Sequence, residues 1–96
     1  MRERRNVKIR GLVQGVYFRE TVRRIALGHA VDGFVRNVDY DLVEIDVEGE
    51  AAVVEAFVDE VLANPPVRAR VVDVQTTVLA PEGAEGFRVA SSVRAG

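Results

Sequence analysis

The sequence predicts an α+β fold, a ferredoxin-like sandwich (βαββαβ) in which two helices cover one face of an antiparallel sheet, with a short extra C-terminal strand. Three patterns predict it. Polar and apolar residues alternate from Leu42 to Glu48, apolar residues recur at helical spacing after Phe18 and again in residues 50–63, and strand-forming runs flank both helices. We expect one domain across residues 1–96, with a core of about residues 6–91, because a chain of this length suits a single modest core.

The first half of the chain supplies a strand, a loop, a helix and a hairpin. Residues 7–13 alternate and predict a half-buried strand, which ends in a glycine-containing loop over residues 14–17. Apolar side chains at positions 18, 22, 25 and 26 form one face of a helix that ends near Gly28. Residues 31–38 and 42–48 predict two strands joined by a turn at residues 39–41. The second of these strands carries three carboxylates on one face, which we expect to be solvated: Glu44, Asp46 and Glu48.

The second half supplies a helix and the last strands. Residues 50–63 carry an apolar face around Phe57, and Asn64-Pro65-Pro66 ends this helix because proline cannot continue it. Residues 72–78 alternate and predict a strand, residues 81–83 predict a turn, and Phe87 and Val89 suit a short final strand.

Composition restricts the chemistry and the partners. The chain has no cysteine, which excludes disulfides, thiolate–zinc sites and cysteine nucleophiles. No apolar run follows the charged N-terminus, so we expect no signal peptide, no membrane span and a cytoplasmic protein. The net charge of −2 argues against broad nucleic-acid binding, although the basic residues concentrate in the first 40 positions and favour an anion-attracting face.

The segment Gly11-Leu12-Val13-Gln14-Gly15-Val16-Tyr17-Phe18-Arg19 runs from a strand through a loop into a helix. Backbone N–H groups in such a loop, and at the start of the helix, can form a concave anion site. Gly15 allows a tight turn, and the guanidinium of Arg19 matches two phosphate oxygens. On this pattern alone, the favoured interpretation is that Arg19 points into solvent or pairs with Glu20 or Glu3.

The motif Gly11-x-Val13-Gln14-Gly15-Val16-x-Phe18-Arg19 resembles the signature of the acylphosphatase family. A second run, Gly33-Phe34-Val35-Arg36-Asn37, resembles the other element of that signature and follows at the expected separation. The similarity continues through Val43-Glu44, Glu48-Gly49, the helix around Phe57 and Gly86-Phe87, and so covers nearly the whole chain.

The resemblance implies an acylphosphatase, a hydrolase that converts an acyl phosphate to a carboxylate and inorganic phosphate. It implies that Gln14, Gly15, Val16, Tyr17, Phe18 and Arg19 bind the phosphate, that Arg19 is catalytic, and that Asn37 holds the attacking water. It implies no cofactor and no metal, and we expect a monomer that binds neither nucleic acid nor membrane. Tyr17 occupies a variable position of the motif and receives no catalytic role.

Two polar residues allow other interpretations. Asn37 precedes Asp39 in a predicted hairpin, where asparagine commonly favours the turn itself. His29 is the one histidine, and its position near the end of the first helix favours a solvated surface role. The turn also departs from the family, since it reads Asp39-Tyr40-Asp41 where an Asp-Gly pair is common, and Leu12 stands where the family often has a basic residue.

Two other functions stay open at this point. The tail from Asn64 to Val74, with Phe87 and Ser91-Ser92, also resembles the N-terminal acylphosphatase-like domain of hydrogenase-maturation carbamoyltransferases, which would act on carbamoyl phosphate. A non-catalytic phosphate-binding module is the second. RNA binding is disfavoured because residues 7–13 and 42–48 carry no aromatic side chain.

Overall fold

The computed structural model describes residues 1–94, and within them the chain forms five strands and two helices in the predicted order. Their bounds are β1 (Arg2–Leu12), α1 (Phe18–Ala26), β2 (Asp32–Val38), β3 (Leu42–Glu50), α2 (Ala51–Ala63), β4 (Arg70–Leu79) and β5 (Phe87–Val89). Strand β1 starts at Arg2 rather than at the predicted residue 7, because the charged N-terminal residues continue the ladder with β3.

The sheet has the order β4-β1-β3-β2-β5. The first four strands pair antiparallel, as predicted, whereas β5 runs parallel to the edge strand β2. The sheet is therefore mixed. The chain reverses once between β4 and β5 while it passes from one edge of the sheet to the other, so β5 runs in the direction of β2.

One hydrophobic core joins the sheet to both helices, which accordingly lie on the same face. Phe57 of α2 is fully buried at its centre, and its ring contacts Phe87 and His29 edge-on, with centroids 5.6 and 5.9 Å away. The predicted surface role of His29 is wrong. Its side chain is 18% exposed, and Nε2 lies 2.9 Å from the carboxylate of Glu60, so the histidine links the end of α1 to α2.

The carboxylate face of β3 is also buried, which corrects the expectation of a solvated surface. β3 is a central strand, and its neighbours supply a partner for each carboxylate. Arg36 donates to Glu44 at 2.6 Å, and Arg4 donates two hydrogen bonds to Asp46 at 2.8 and 3.1 Å.

Glu48, at the other end of this row, is 1% exposed and lies in a site made by the main chain. Its carboxylate accepts hydrogen bonds from the backbone N–H groups of Glu82, Gly83 and Ala84 at 2.7, 2.7 and 2.8 Å, and from Arg2 at 3.0 Å. These bonds, led by the one from Glu82, lower the pKa of Glu48 from 4.5 to about 2 against the opposing effect of burial. The chain between β4 and β5 is thereby attached to the central strand.

Candidate active site

A cleft of about 470 Å³ lies between the segment that joins β1 to α1 and the strand β2. It is lined by Val13, Gln14, Gly15, Tyr17, Phe18, Arg19, Glu20, Asn37 and Val89. We call residues 14–18 the cradle loop. The cleft thus brings together Arg19, Asn37 and most of the cradle loop, whereas Val16 packs against the core and lines a smaller depression beside the cleft.

The cradle loop leaves a run of main-chain donors without acceptors. Gly15 and Tyr17 both have left-handed φ angles, 72° and 63°, and α1 begins after Tyr17 without a side-chain cap. The first hydrogen bond at this end of the helix runs from Thr21 N–H to Tyr17 C=O at 3.0 Å. Among residues 1–94, no acceptor receives the backbone N–H groups of residues 15–20. The start of α1 therefore carries free donors and the positive end of the helix dipole.

Arg19 has no internal partner among the residues that the structure describes. Its side chain is half-buried and makes no hydrogen bond or ion pair within the described residues. Both acids that the sequence offered as partners are engaged elsewhere, since Glu20 binds Arg23 at 2.7 Å and Glu3 binds Arg5 at 2.8 Å. The guanidinium is thus a permanent positive charge, at the edge of the cleft, that is free to bind a ligand.

Glu20 lines the same cleft, and its charge is compensated on the helix surface. Its carboxylate accepts two hydrogen bonds from Arg23 and one from Arg24. The bond from Arg23, followed by that from Arg24, lowers the pKa of Glu20 to about 2. The acid nearest to Arg19 in the chain is therefore ionised and already neutralised by two arginines.

Asn37 carries a buried polar atom without a partner. The residue is 9% exposed, and its Oδ1 is buried and receives no hydrogen bond within residues 1–94. The side chain makes no hydrogen bond to the adjacent turn, so the turn-favouring interpretation does not account for it. A buried unpaired amide oxygen costs about 1–3 kcal/mol, and such atoms commonly mark the place of a bound water or ligand.

Gln14 uses its side chain in a way that the sequence did not predict. Its Nε2 donates to the carbonyl oxygens of Val38, Asp39 and Leu42, at 3.1, 3.3 and 2.9 Å. These oxygens belong to the turn between β2 and β3. The side chain of Gln14 is thus engaged with this turn, and a contact of Gln14 with phosphate would fall to its backbone N–H.

The turn itself explains how the chain manages without the Asp-Gly pair. Asp39 adopts a left-handed conformation with φ 53°, which aspartate tolerates better than most residues that have a side chain. Arg94 donates to the Asp39 carbonyl at 3.1 Å and stacks 4.1 Å above the ring of Tyr40. The short tail after β5 therefore supports the turn from outside.

Sequence reasoning missed one wall of the cleft. Val89 of β5 lines it, and the next residues continue along β2, where Val93 N–H donates to the carbonyl of Asn37 at 2.9 Å. The alternation of Phe87 and Val89 indicated that both share one face of a strand. It did not indicate that this strand lies parallel to β2.

Comparisons with known proteins show the family of this chain. The sequence profile of the acylphosphatase family matches residues 5–89. The chain is 45% identical to an acylphosphatase of Haloarcula marismortui over 86 residues, which are 90% of this chain and 93% of that one. It is 42% identical to an acylphosphatase of Thermococcus kodakarensis over 88 residues, 92% of this chain and 96% of the relative.

Solved structures resemble the whole fold. The crystal structure of acylphosphatase from Bacillus subtilis has a TM-score of 0.84 and 32% identity, and the match covers 94% of this chain and 99% of that one. Full-length HypF, in a phosphate- and nucleotide-bound form, has a TM-score of 0.93 and 33% identity. That match covers 100% of this chain but 13% of HypF, so the similarity concerns one part of a much larger protein.

Proposed function

This chain belongs to the acylphosphatase family, and from that membership we propose how it works: Arg19 and the cradle loop bind the phosphoryl group of an acyl phosphate while Asn37 orients the attacking water. One observation carries the proposal. Arg19, which has no internal partner within residues 1–94, and Asn37, whose buried Oδ1 is unpaired within the same residues, line one cleft. The products are a carboxylate and inorganic phosphate.

The binding step follows from charge and donor geometry. A phosphoryl group brings three anionic or polar oxygens, and the free N–H groups of residues 15–20, the helix dipole and Arg19 offer matching positive ends. In the transition state, charge spreads over these oxygens, so donors held in advance lower the barrier. Within this proposal Gln14, Gly15, Val16, Tyr17 and Phe18 contribute main-chain groups.

The chemical step needs no strong acid. Water attacks phosphorus, and the bond from phosphorus to the acyl oxygen breaks with its electron pair leaving on the carboxylate. Carboxylic acids have a pKa near ~4, so this group departs without protonation. Guanidinium and carboxamide groups are not proton acceptors, so neither Arg19 nor Asn37 takes the proton from water. A phosphoryl oxygen of the substrate is the acceptor we propose.

Hydrolysis of benzoyl phosphate by Arg19→Ala tests the binding role. We expect kcat/KM to fall by about a thousandfold or more, because the variant loses a charge that stabilises the transition state. Lys8→Ala is the control, since Lys8 is an exposed cation, makes no ion pair within residues 1–94 and lines neither the cleft nor the depression beside it. Equal losses in both variants, or a wild-type rate in Arg19→Ala, would contradict the assignment.

Asn37→Ala tests the role of the water. We expect kcat to fall by about a hundredfold, while the inhibition constant of inorganic phosphate changes little. The free energy of unfolding should not drop, because the substitution removes a buried oxygen that has no partner. Asn64→Ala is the control, because Asn64 is exposed and donates to the Glu60 carbonyl at the end of α2. A large rise in the phosphate inhibition constant at unchanged kcat would assign Asn37 to binding instead.

The similarity to HypF, which extends over all of this chain, supports carbamoyl phosphate as a second candidate substrate. The same cleft would then act on carbamoyl phosphate as a domain of a carbamoyltransferase. Parallel assays of benzoyl, acetyl and carbamoyl phosphate hydrolysis distinguish the two functions. An acylphosphatase should prefer benzoyl and acetyl phosphate, whereas a carbamoyltransferase domain should prefer carbamoyl phosphate. Tight phosphate binding without hydrolysis of any of the three would favour a phosphate-binding module.

The remaining features of the proposal concern the protein as a whole. We propose one domain over residues 1–96 and a cytoplasmic monomer that binds neither nucleic acid nor membrane, on the grounds of charge and composition given above. Within residues 1–94, no helix is both long and apolar enough to cross a bilayer. Gel filtration of the purified chain tests whether the protein is a monomer.

A further inference from the structure

We infer that Gln14 is a positioning residue for hydrolysis, because its side chain fixes the turn after Asn37 to the cradle loop. The inference rests on the proposed function, since it assumes that Asn37 orients the water. It assigns to the side chain of Gln14 a role other than binding phosphate. Together with the pairing of β1 and β3, this side chain would hold the two walls of the cleft, one carrying Arg19 and the other Asn37, at a working distance.

The hydrogen bonds define the orientation of the Gln14 amide. Three carbonyl oxygens surround its terminal atom at 2.9 to 3.3 Å, so that atom must be the nitrogen, because an oxygen there would face three acceptors. An amide nitrogen has two protons for these three oxygens, so one proton is shared. The contacts span 24 to 28 residues of sequence and connect the cradle loop to the turn between β2 and β3 and to the strand residues that flank it.

The turn depends on donors from outside the hairpin. Val38 and Leu42 form the last pair of the β2–β3 ladder, and Asp39 follows in a left-handed conformation. Other supports reach different atoms. Gly11 N–H donates to the carbonyl of Asp41 at 2.9 Å, and Arg94 donates to that of Asp39. For Val38 and Leu42, Gln14 supplies the contact from across the cleft.

Asn37 immediately precedes Val38, so a displacement of the turn moves the amide of Asn37 relative to Arg19. In-line attack requires the water, phosphorus and leaving oxygen to lie nearly on one line. A misplacement of about 1 Å can lower a rate about a hundredfold. Loss of the Gln14 contact should therefore affect turnover more than phosphate binding, which depends on Arg19 and on main-chain groups.

The first test is Gln14→Met, which keeps the length of the side chain and removes the donor. We expect kcat for benzoyl phosphate to fall between about tenfold and about a hundredfold, with the inhibition constant of phosphate nearly unchanged. The matched control is Asn6→Leu. Asn6 also bridges two acceptors with its amide, at 2.9 and 3.0 Å, but it does so among the carboxylates of β3, away from the cleft. The control should lose stability and keep kcat.

A double-mutant cycle with Asn37→Ala separates positioning from general damage. If Gln14 acts through Asn37, adding Gln14→Met to Asn37→Ala should cost no further turnover, so the two effects are strongly non-additive. Additive losses, or a phosphate inhibition constant that rises in Gln14→Met as much as kcat falls, would overturn the inference. Should Gln14→Met not fold, Gln14→Asn, which keeps the amide on a shorter stem, must show the same pattern.

The two proposals fail in different ways. If Asn37→Ala hydrolyses benzoyl phosphate at the wild-type rate, the role of Asn37 is wrong and the inference falls with it. If Asn37→Ala loses turnover while Gln14→Met retains it, the proposed function stands and the positioning role of Gln14 is wrong.

Discussion

Two loops of this molecule offer the same chemistry to an anion, and they differ in what occupies them. Residues 82–84 direct three consecutive N–H groups at the carboxylate of Glu48, and Arg2 completes that site. The cradle loop and the start of α1 also present consecutive N–H groups beside an arginine, yet no side chain of residues 1–94 binds them. The first site is filled by the protein itself and holds two segments together, whereas the second is the one that we propose for the substrate.

The difference comes from the partners that the nearest acidic side chains bind. Glu20 sits beside Arg19 in the chain but is held by Arg23 and Arg24, so it does not close the second site. Glu48 faces residues 82–84 from a central strand, and its arginine partner, Arg2, binds in the same site. Occupied donors should therefore contribute to folding, and unoccupied donors to catalysis.

The variant with the largest expected effect on this contrast is Glu48→Gln, which keeps the shape of the side chain and removes its charge. We expect the free energy of unfolding to fall by about 3 kcal/mol, because the amide NH₂ would face at least one backbone donor in a buried site and Arg2 would lose the nearer of its two acid partners, Glu48 and Asp32. Urea unfolding measures the change. Benzoyl phosphate hydrolysis by the folded variant should keep the wild-type kcat/KM.

Glu55→Gln is the control for that experiment, since Glu55 is exposed on α2 and its loss of charge should change stability by no more than about 0.5 kcal/mol. The contrast between the two loops breaks down if Glu48→Gln is as stable as the control. It also breaks down if Arg19→Ala loses as much stability as Glu48→Gln.

Lowering the pH tests the same contrast, with a smaller expected change in the free energy of unfolding. The pKa of Glu48 is lowered from 4.5 to about 2, so its ionised form is stabilised in the folded protein. The stability it contributes is therefore fully present above pH 4.5 and is lost as pH falls through about 2. Urea midpoints of wild type and Glu48→Gln should converge over this window. A difference that stays constant down to pH 2 would show that the charge of Glu48 is not its source.

The smallest expected effect concerns phosphate binding at the cradle loop. Inorganic phosphate at about ten times its dissociation constant should stabilise the wild type by about 1.4 kcal/mol and raise Tm by about 6 °C or more. Arg19→Ala should show no such shift, and sodium chloride at equal ionic strength serves as the control for salt. An equal rise in both proteins would place phosphate binding elsewhere on the surface.

The order of elements was accessible from the sequence because local patterns encode it, whereas Arg19 and Asn37 were singled out by the resemblance to the acylphosphatase family. Alternation in β3 and the helical spacing after Phe18 predicted elements that the structure contains. The two motifs put Arg19 and Asn37 at the ends of segments that meet in one cleft. Their roles in catalysis stay predictions.

What escaped sequence reasoning depends on contacts between distant segments. Alternation separates the two faces of β3 but does not reveal that Arg4, Arg36 and residues 82–84 cover its carboxylates. Gln14 occupies a motif position that suggested phosphate, yet its side chain bonds to carbonyls more than twenty residues away. Such partners depend on the packing of the sheet, which no local pattern contains.

The sheet order has a consequence for the behaviour of concentrated solutions. β5 covers part of the outer edge of β2, whereas no strand of residues 1–94 pairs with the outer edge of β4. That strand is ten residues long, and its Val72 and Val78 are 78% and 64% exposed. An open, apolar edge of this length can template pairing between molecules, and charged residues such as Arg70 and Asp73 oppose it. Attempts to raise solubility should begin there, with a lysine in place of Val72, which does not line the cleft.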